Sequence, residues 1–179
     1  MKLLREPEAA ALAYGLDTGN EEELVLVFDL GGGTYDVSML MVEKGLTEIL
    51  FTGGNSQLGG TNFDAKIAKH LLKLLDGCFN TEESMEIVLR AAESIRIYLS
   101  NNRVAHVALP LTENGWLRLN SGDDVILTRS QVHEIGVDFS ASSSNSTHIF
   151  SQISRKDIDE LCEDEFQDLI RPIRETAIV

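Results

Sequence analysis

Basic residues are scarce in this 179-residue chain, where 15 Lys and Arg stand against 29 Asp and Glu for a formal charge of −14. A surface of that sign repels phosphate backbones and anionic lipid headgroups, which excludes nucleic acid and membranes as partners. Any phosphate must then be held locally, by backbone N–H groups or a metal ion, and this directs attention to glycine-rich turns. Cysteine is nearly absent. Cys78 and Cys162 lie far apart in segments of helical pattern, without a C-x-x-C or a neighbouring His. A zinc site and a disulfide framework are thereby excluded, and reduced thiols of an intracellular protein are expected. There is no long hydrophobic run: Ala9 to Tyr14, the longest near the start, is too short to span a bilayer and lacks a signal-peptide layout, so the chain is not expected to be secreted. The four histidines, His70, His106, His133 and His148, have no spacing that suggests a metal site or a triad. Internal repeats are also missing. The length and the 43% hydrophobic content nevertheless suffice for a real core.

The alanine-rich run from Glu6 to Leu16 predicts a helix, ended by Gly15 and the polar stretch Asp17 to Asn20. Val25 to Leu30 reads as a buried strand broken only by Asp29, Tyr35 to Val42 as its hairpin partner across Gly31-Gly32-Gly33-Thr34, and Leu46 to Thr52 as a third strand. Together they predict a three-stranded antiparallel meander. Thr61 and Asp64 have capping-box spacing ahead of a helix with the stripe Phe63, Ile67, Leu71 and Leu74, closed by Asp76-Gly77. Thr81 opens a second helix with the face Met85, Val88, Leu89, Ala92, Ile95 and Leu99, stopped at Ser100 to Asn102. Strands are expected at Val104 to Leu111, Trp116 to Leu119 and Val125 to Thr128, the last two joined by the turn Asn120 to Asp123. Val132 to Phe150 is ambiguous, and its serine-rich centre, Ser140 to Ser146, is expected to be a mobile loop. Ser154 and Asp157 repeat the capping-box spacing before one last helix with the stripe Ile158, Leu161, Cys162, Leu169, Ile170 and Ile173. Arg155 and Lys156 at its start run against the helix dipole and have no explanation in the sequence.

The segment carrying most chemical information is Val27 to Ser38. Three successive glycines leave backbone amides with no Cβ in the way, so a phosphate can approach closely, and Thr34 adds a hydroxyl. Asp29 is placed to hold the water shell of a magnesium ion, which in nucleotide sites keeps several waters. The competing reading is a tight hairpin whose aspartate only caps its turn. Gly59-Gly60 precedes a helix start, either an anion position or an ordinary beginning of a helix. Glu6, held by the following Pro7, is either a positioned base or water holder or a surface glutamate. Glu93, Arg96 and Ser100 share related helix faces, either for a ligand or for solvent. The acidic run Glu160, Glu163, Asp164 and Glu165 reads as the solvated side of the last helix.

Taken in order, Glu6 to Asp17, Phe28 to Ser38, Leu58 to Asp64 and Ala92 to Ser100 resemble four successive signatures of the heat shock protein 70 family. The resemblance covers about residues 1 to 112 and 150 to 179. It implies an α/β, actin-like (ribonuclease H-like) ATPase lobe, built of an antiparallel three-stranded meander with helices and a smaller helical and β-hairpin subdomain. On it, residues 1–57 form the phosphate-binding part, 58–154 a smaller subdomain with an insertion at about 113–147, and 155–179 a helix leading back to the core. It implies ATP or ADP with Mg²⁺ as cofactors. Gly31, Gly32, Gly33 and Thr34 would lie at the phosphates with Gly60 nearby, Asp29 would order the metal through water, Glu6 would sit beside the attacking water, and Glu93, Arg96 and Ser100 would meet the adenosine. Partners would be unfolded polypeptides, bound through a separate domain, together with a J-domain co-chaperone and a nucleotide exchange factor. The cytoplasm, a plastid or a mitochondrion would house the protein.

Departures accompany the resemblance. Arg5 and Glu8 stand where the family usually has Asn and Thr, and Arg96 where it has Lys. Ile97 and Leu109-Pro110 are similar to bacterial and organellar members. The family's opening phosphate hairpin, with its lysine, and its last Gly-Gly-Ser adenosine loop are not found. The chain therefore reads as a fragment or a degenerate relative, unable to hydrolyse ATP alone. The alternative is a non-catalytic docking module for a co-chaperone or exchange factor.

Overall fold

The computed structural model describes residues 3–16, 22–43, 46–74, 82–110, 125–127, 129–136, 143–144 and 148–176. These divide into two compact units, one made of Met1–Gly60 with Asp164–Val179 and the other of Thr61–Glu163.

In the first unit, α1 (Glu6–Ala13) begins where the Glu8 carboxylate accepts the Arg5 backbone N–H at 3.0 Å and Pro7 occupies the first turn, which needs no amide from it. It stops at Tyr14 and Gly15, the latter at φ 69, short of the expected Leu16. β1 (Glu23–Leu30), β2 (Tyr35–Glu43) and β3 (Leu46–Asn55) form the expected antiparallel meander in the order β1-β2-β3. The β1–β2 register pairs Leu30 with Tyr35 and leaves Gly31 to Thr34 as the tip. A bulge between Met39 and Leu40 re-registers β2 against β3. On one face of the sheet Ala11 of α1 packs with Leu40 and Val42, flanked by Val25, Val27 and Ile49. On β2 the opposite face carries Tyr35, fully buried, whose hydroxyl donates to the Leu169 carbonyl of α6 (Glu163–Thr176) at 2.9 Å. The expectation that β1 is buried fails. Leu24, Leu26, Phe28 and Leu30 are exposed, Leu24 by 61%, because β1 is the edge strand of a three-stranded sheet.

The second unit is built on α2 (Gly60–Leu74) and α3 (Glu82–Asn101), with Ile67, Leu71, Val88, Ala92 and Ile95 fully or almost fully buried at helical spacing. The capping box expected at Thr61 and Asp64 does not form. The helix already begins at Gly60, and Asp64, 7% exposed, is instead bonded to Arg96. β4 (Val104–Pro110), β5 (Ser143–Ser144) and β6 (His148–Ser154) make a second antiparallel sheet in the order β4-β6-β5, with α4 (Arg129–Ile135) between β4 and β5 in the chain. The ambiguous stretch therefore contains the end of α4, β5 and the start of β6. Within the serine-rich segment, Ser143 and Ser144 pair with Phe150 and Ile149, which corrects the expectation of a wholly free loop; its other residues lie outside the described ones. Val125 to Leu127 makes a bridge to β4 rather than a strand, through Ala108 N–H to Val125 O and Leu127 N–H to His106 O, both 2.8 Å.

Ser154 and Asp157 do form their capping box, with the Ser154 N–H donating to Asp157 Oδ2 at 2.7 Å and the Asp157 N–H to Ser154 Oγ at 3.2 Å. The helix they start is α5 (Arg155–Leu161). It ends at Cys162, so the single last helix expected from the stripe is two helices, α5 and α6. Cys162 is a buried thiol. Arg155 also acquires its reason: its Nε donates to the Leu99 and Asn102 carbonyls at 2.6 and 2.9 Å and its Nη2 to Ser100 O at 2.8 Å. These are terminal carbonyls of α3 and its exit, which have no partner within their own helix. The strand expected at Trp116 to Leu119, the turn at Asn120 to Asp123, the helix boundaries at Asp76-Gly77 and Thr81, and Cys78 lie outside the described residues.

Candidate nucleotide-binding site

The four-residue tip between β1 and β2 is closed by the Gly31 N–H, which donates to Thr34 O at 2.8 Å. It rests on the second glycine pair. The Gly60 N–H donates to Gly31 O at 2.9 Å, and a Cβ on Gly59 would stand 2.4 Å from Gly33 N and 2.5 Å from Gly32 C. Only glycine at 59 allows that approach. Gly60 is thus beside the tip, with its amide engaged in holding the tip in place. Gly32 and Gly33 differ from Gly59. Neither has a positive φ, and a Cβ on either would meet nothing within 4 Å. Folding does not demand glycine at these two exposed positions, whereas a ligand approaching the backbone amides does.

Next to the tip lies a cavity of about 350 Å³ on the sheet face that α1 covers. Its polar lining is Arg5, Glu6, Asp29, Asp36, Ser38 and Thr52, and its apolar lining Pro7, Ala10, Val27 and Ile49. Period-2 alternation puts Asp29 and Val27 on the face that α1 packs against, and the β1–β2 register sets Asp36 directly opposite Asp29. Helix α1 supplies Glu6 from its first turn. At the cavity wall Ser38, 3% exposed, and Thr52 share a hydroxyl hydrogen bond of 3.3 Å. Glu6 and Asp29 are thereby brought to one cavity. Asp36 was missed by the sequence reading, although the hairpin register about a four-residue tip is a signal that could have found it.

The fit to a magnesium ion rests on this donor set. Carboxylate oxygens suit a hard cation such as magnesium, and Glu6, Asp29 and Asp36 line one cavity.

Glu93, Arg96 and Ser100 share α3, in the second unit. Arg96 is bound bidentately to Asp64, Nε to Oδ1 at 2.6 Å and Nη2 to Oδ2 at 3.1 Å, with Glu93 Oε1 at 3.9 Å from Nη2. The hydrogen bond to Asp64 raises the guanidinium pKa further above its ordinary value, against the opposing effect of burial. A lysine could not make this fork, so the Arg in place of Lys has a geometric use. The Ser100 hydroxyl donates to the Arg96 carbonyl at 3.3 Å.

A family model described as Hsp70 protein matches residues 1–115. The chain belongs to the Hsp70 family. Its α/β architecture, an antiparallel three-stranded sheet with helices, is that of the family's actin-like ATPase fold. Among curated Hsp70 relatives, it is similar to the chaperone protein HscA homolog of Vibrio atlanticus, 44% identical over 126 residues, 70% of this chain and 20% of that protein. The chaperone protein DnaK of Mycoplasmopsis agalactiae is 39% identical over 145 residues, 75% of this chain and 23% of the relative. HscA of Klebsiella pneumoniae is 41% identical over 136 residues, 75% and 20%. The chain spans about a fifth of the length of these relatives. Among the described residues no helix is long and apolar enough to cross a membrane.

Proposed function

We propose that the chain is the ATP-binding portion of an Hsp70-type chaperone ATPase, from the second lobe of its nucleotide-binding domain. The observation that carries this is the bare tip: two exposed glycines, Gly32 and Gly33, that neither backbone conformation nor packing requires, beside a cavity holding three carboxylates. In this reading the Gly32 and Gly33 amides and the Thr34 hydroxyl donate to phosphate oxygens, as the backbone of a phosphate loop does. Asp29 and Asp36 accept hydrogen bonds from metal-bound waters, and Glu6 orients the attacking water. Bound Mg²⁺ would neutralise charge on the phosphates. Gly60 holds the tip in place, while Glu93, Arg96 and Ser100 present polar groups to the adenosine, Arg96 held by Asp64. In the longer protein, hydrolysis would govern binding and release of unfolded polypeptides by a separate domain, with a J-domain co-chaperone and a nucleotide exchange factor acting on the cycle. An intracellular, cytoplasmic setting suits the bacterial relatives named above.

Calorimetric titration of the purified chain with ATP and Mg²⁺ is the test. Weak saturable binding that Gly32→Val abolishes, with the fold retained by circular dichroism, is the expected result. No binding by the folded chain would overturn the reading in favour of a docking module.

A further inference from the structure

Arg5 is the one positively charged residue among those described that line the cavity, where it shares the walls with Glu6, Asp29 and Asp36. Three carboxylates against one guanidinium leave the cavity net negative, and the whole chain carries −14. Such a cavity repels a polyphosphate unless a cation stands within it. Arg5 is also well anchored for that task. Its backbone is extended at φ −73 and ψ 149, its N–H is held by Glu8 Oε2 at 3.0 Å, and Pro7 stiffens the chain two residues on. Glu8 thus serves the Arg5 backbone, and Arg5 is exposed and lines the cavity.

We propose that Arg5 is a phosphate-binding residue of this cavity, a built-in cation that gives polyphosphate capture a component independent of divalent metal. The proposal rests on the nucleotide reading above. A guanidinium is always charged and presents a planar fork of donors matched to two phosphate oxygens, whereas an asparagine at this place offers neither charge nor fork. The residue pair Arg5 and Glu8 then works as one device: the glutamate caps the helix so that the arginine side chain can serve the ligand.

The experiment is equilibrium titration of the chain with ATP, in Mg²⁺ and in EDTA, with adenosine as the phosphate-free probe, on the native protein and on Arg5→Asn and Arg5→Lys. In EDTA, Arg5→Asn is expected to weaken ATP about tenfold, the scale of one lost charge-assisted pair, and to leave adenosine unchanged. Arg5→Lys should fall between the two, and the native affinity should decline more steeply with salt than that of Arg5→Asn. ATP affinity unchanged or improved in Arg5→Asn would make Arg5 an internal counter-ion of the carboxylates and overturn the proposal alone. Equal weakening of ATP and adenosine would assign it a merely structural role and also overturn it. No ATP binding by the native folded chain would remove the nucleotide reading and this proposal together.

Discussion

Two glycines a few ångströms apart do different things in this protein. Gly59 has no room for a methyl group, since the nearest atoms are the backbone of Gly32 and Gly33 rather than a flexible side chain. Gly32 has open space around the same position. Gly59→Ala should therefore cost about 1–3 kcal/mol, as overpacking against backbone does, and displace the tip. Gly32→Ala should stay within about 0.5 kcal/mol of the native stability. Urea denaturation of both variants gives the comparison; equal effects would show that the tip does not rest on Gly59. Arg96 shows a second residue-scale lesson. Its fork is committed to Asp64, so it acts on a ligand as half of a pair.

At the scale of elements, the meander is buried at its central strand and open at its edge. Leu40 of β2 is fully buried in the cluster with Ala11 and Val42, whereas Leu26 of β1 is 45% exposed. Leu40→Ala should cost about 2–5 kcal/mol through lost transfer energy and the cavity left behind, and Leu26→Ser well under about 1 kcal/mol. Similar losses in thermal denaturation would mean that β1 is covered in solution. The bond between Tyr35 and the Leu169 carbonyl ties the meander to α6, and burial raises the Tyr35 pKa above its ordinary 10.0. A folded-state pKa above the unfolded value means that the stabilisation is complete below pH 10 and is lost as pH rises through the raised value, where the phenolate no longer donates. Tyr35→Phe should lower stability at neutral pH by about 0.5–1.5 kcal/mol and remove this part of the alkaline decline. Unfolding midpoints measured from pH 8 to about 11 check it; an unchanged alkaline slope in the variant would separate the decline from Tyr35.

For the whole molecule, the expectation is a chain that folds and does not turn over ATP. Buried apolar clusters in each unit, the formed capping box at Ser154 and the α3 cap by Arg155 support folding. A phosphoryl transition state needs preorganised donors on several sides in a site closed to water. Here Gly32, Gly33, Thr34, Glu6, Asp29 and Asp36 are all exposed. Phosphate release from purified chain with ATP and Mg²⁺ should match the protein-free background. Steady turnover abolished by Asp29→Ala would show instead that these residues suffice as an enzyme.

By itself the sequence determined the meander, the glycine tip, the two long helices and the Ser154 cap, together with a resemblance to the Hsp70 family that the family match bears out. Those features are local: alternation, helical stripes, glycines and caps act within a few residues and leave their mark in order along the chain. Tertiary structure decided the rest. Asp36 meets Asp29 only once the hairpin register is set, Asp64 finds Arg96 from 32 residues away, and Arg155 reaches the carbonyls ending α3 from more than 50 away. The exposure of β1 and the break between α5 and α6 at Cys162 likewise ran against the apolar pattern, since a hydrophobic run or stripe states what a segment can bury and not what is there to cover it. Gly59 read only as an anion position or an ordinary helix start because a close approach between two backbones leaves no periodic trace, only the absence of a side chain where one would collide.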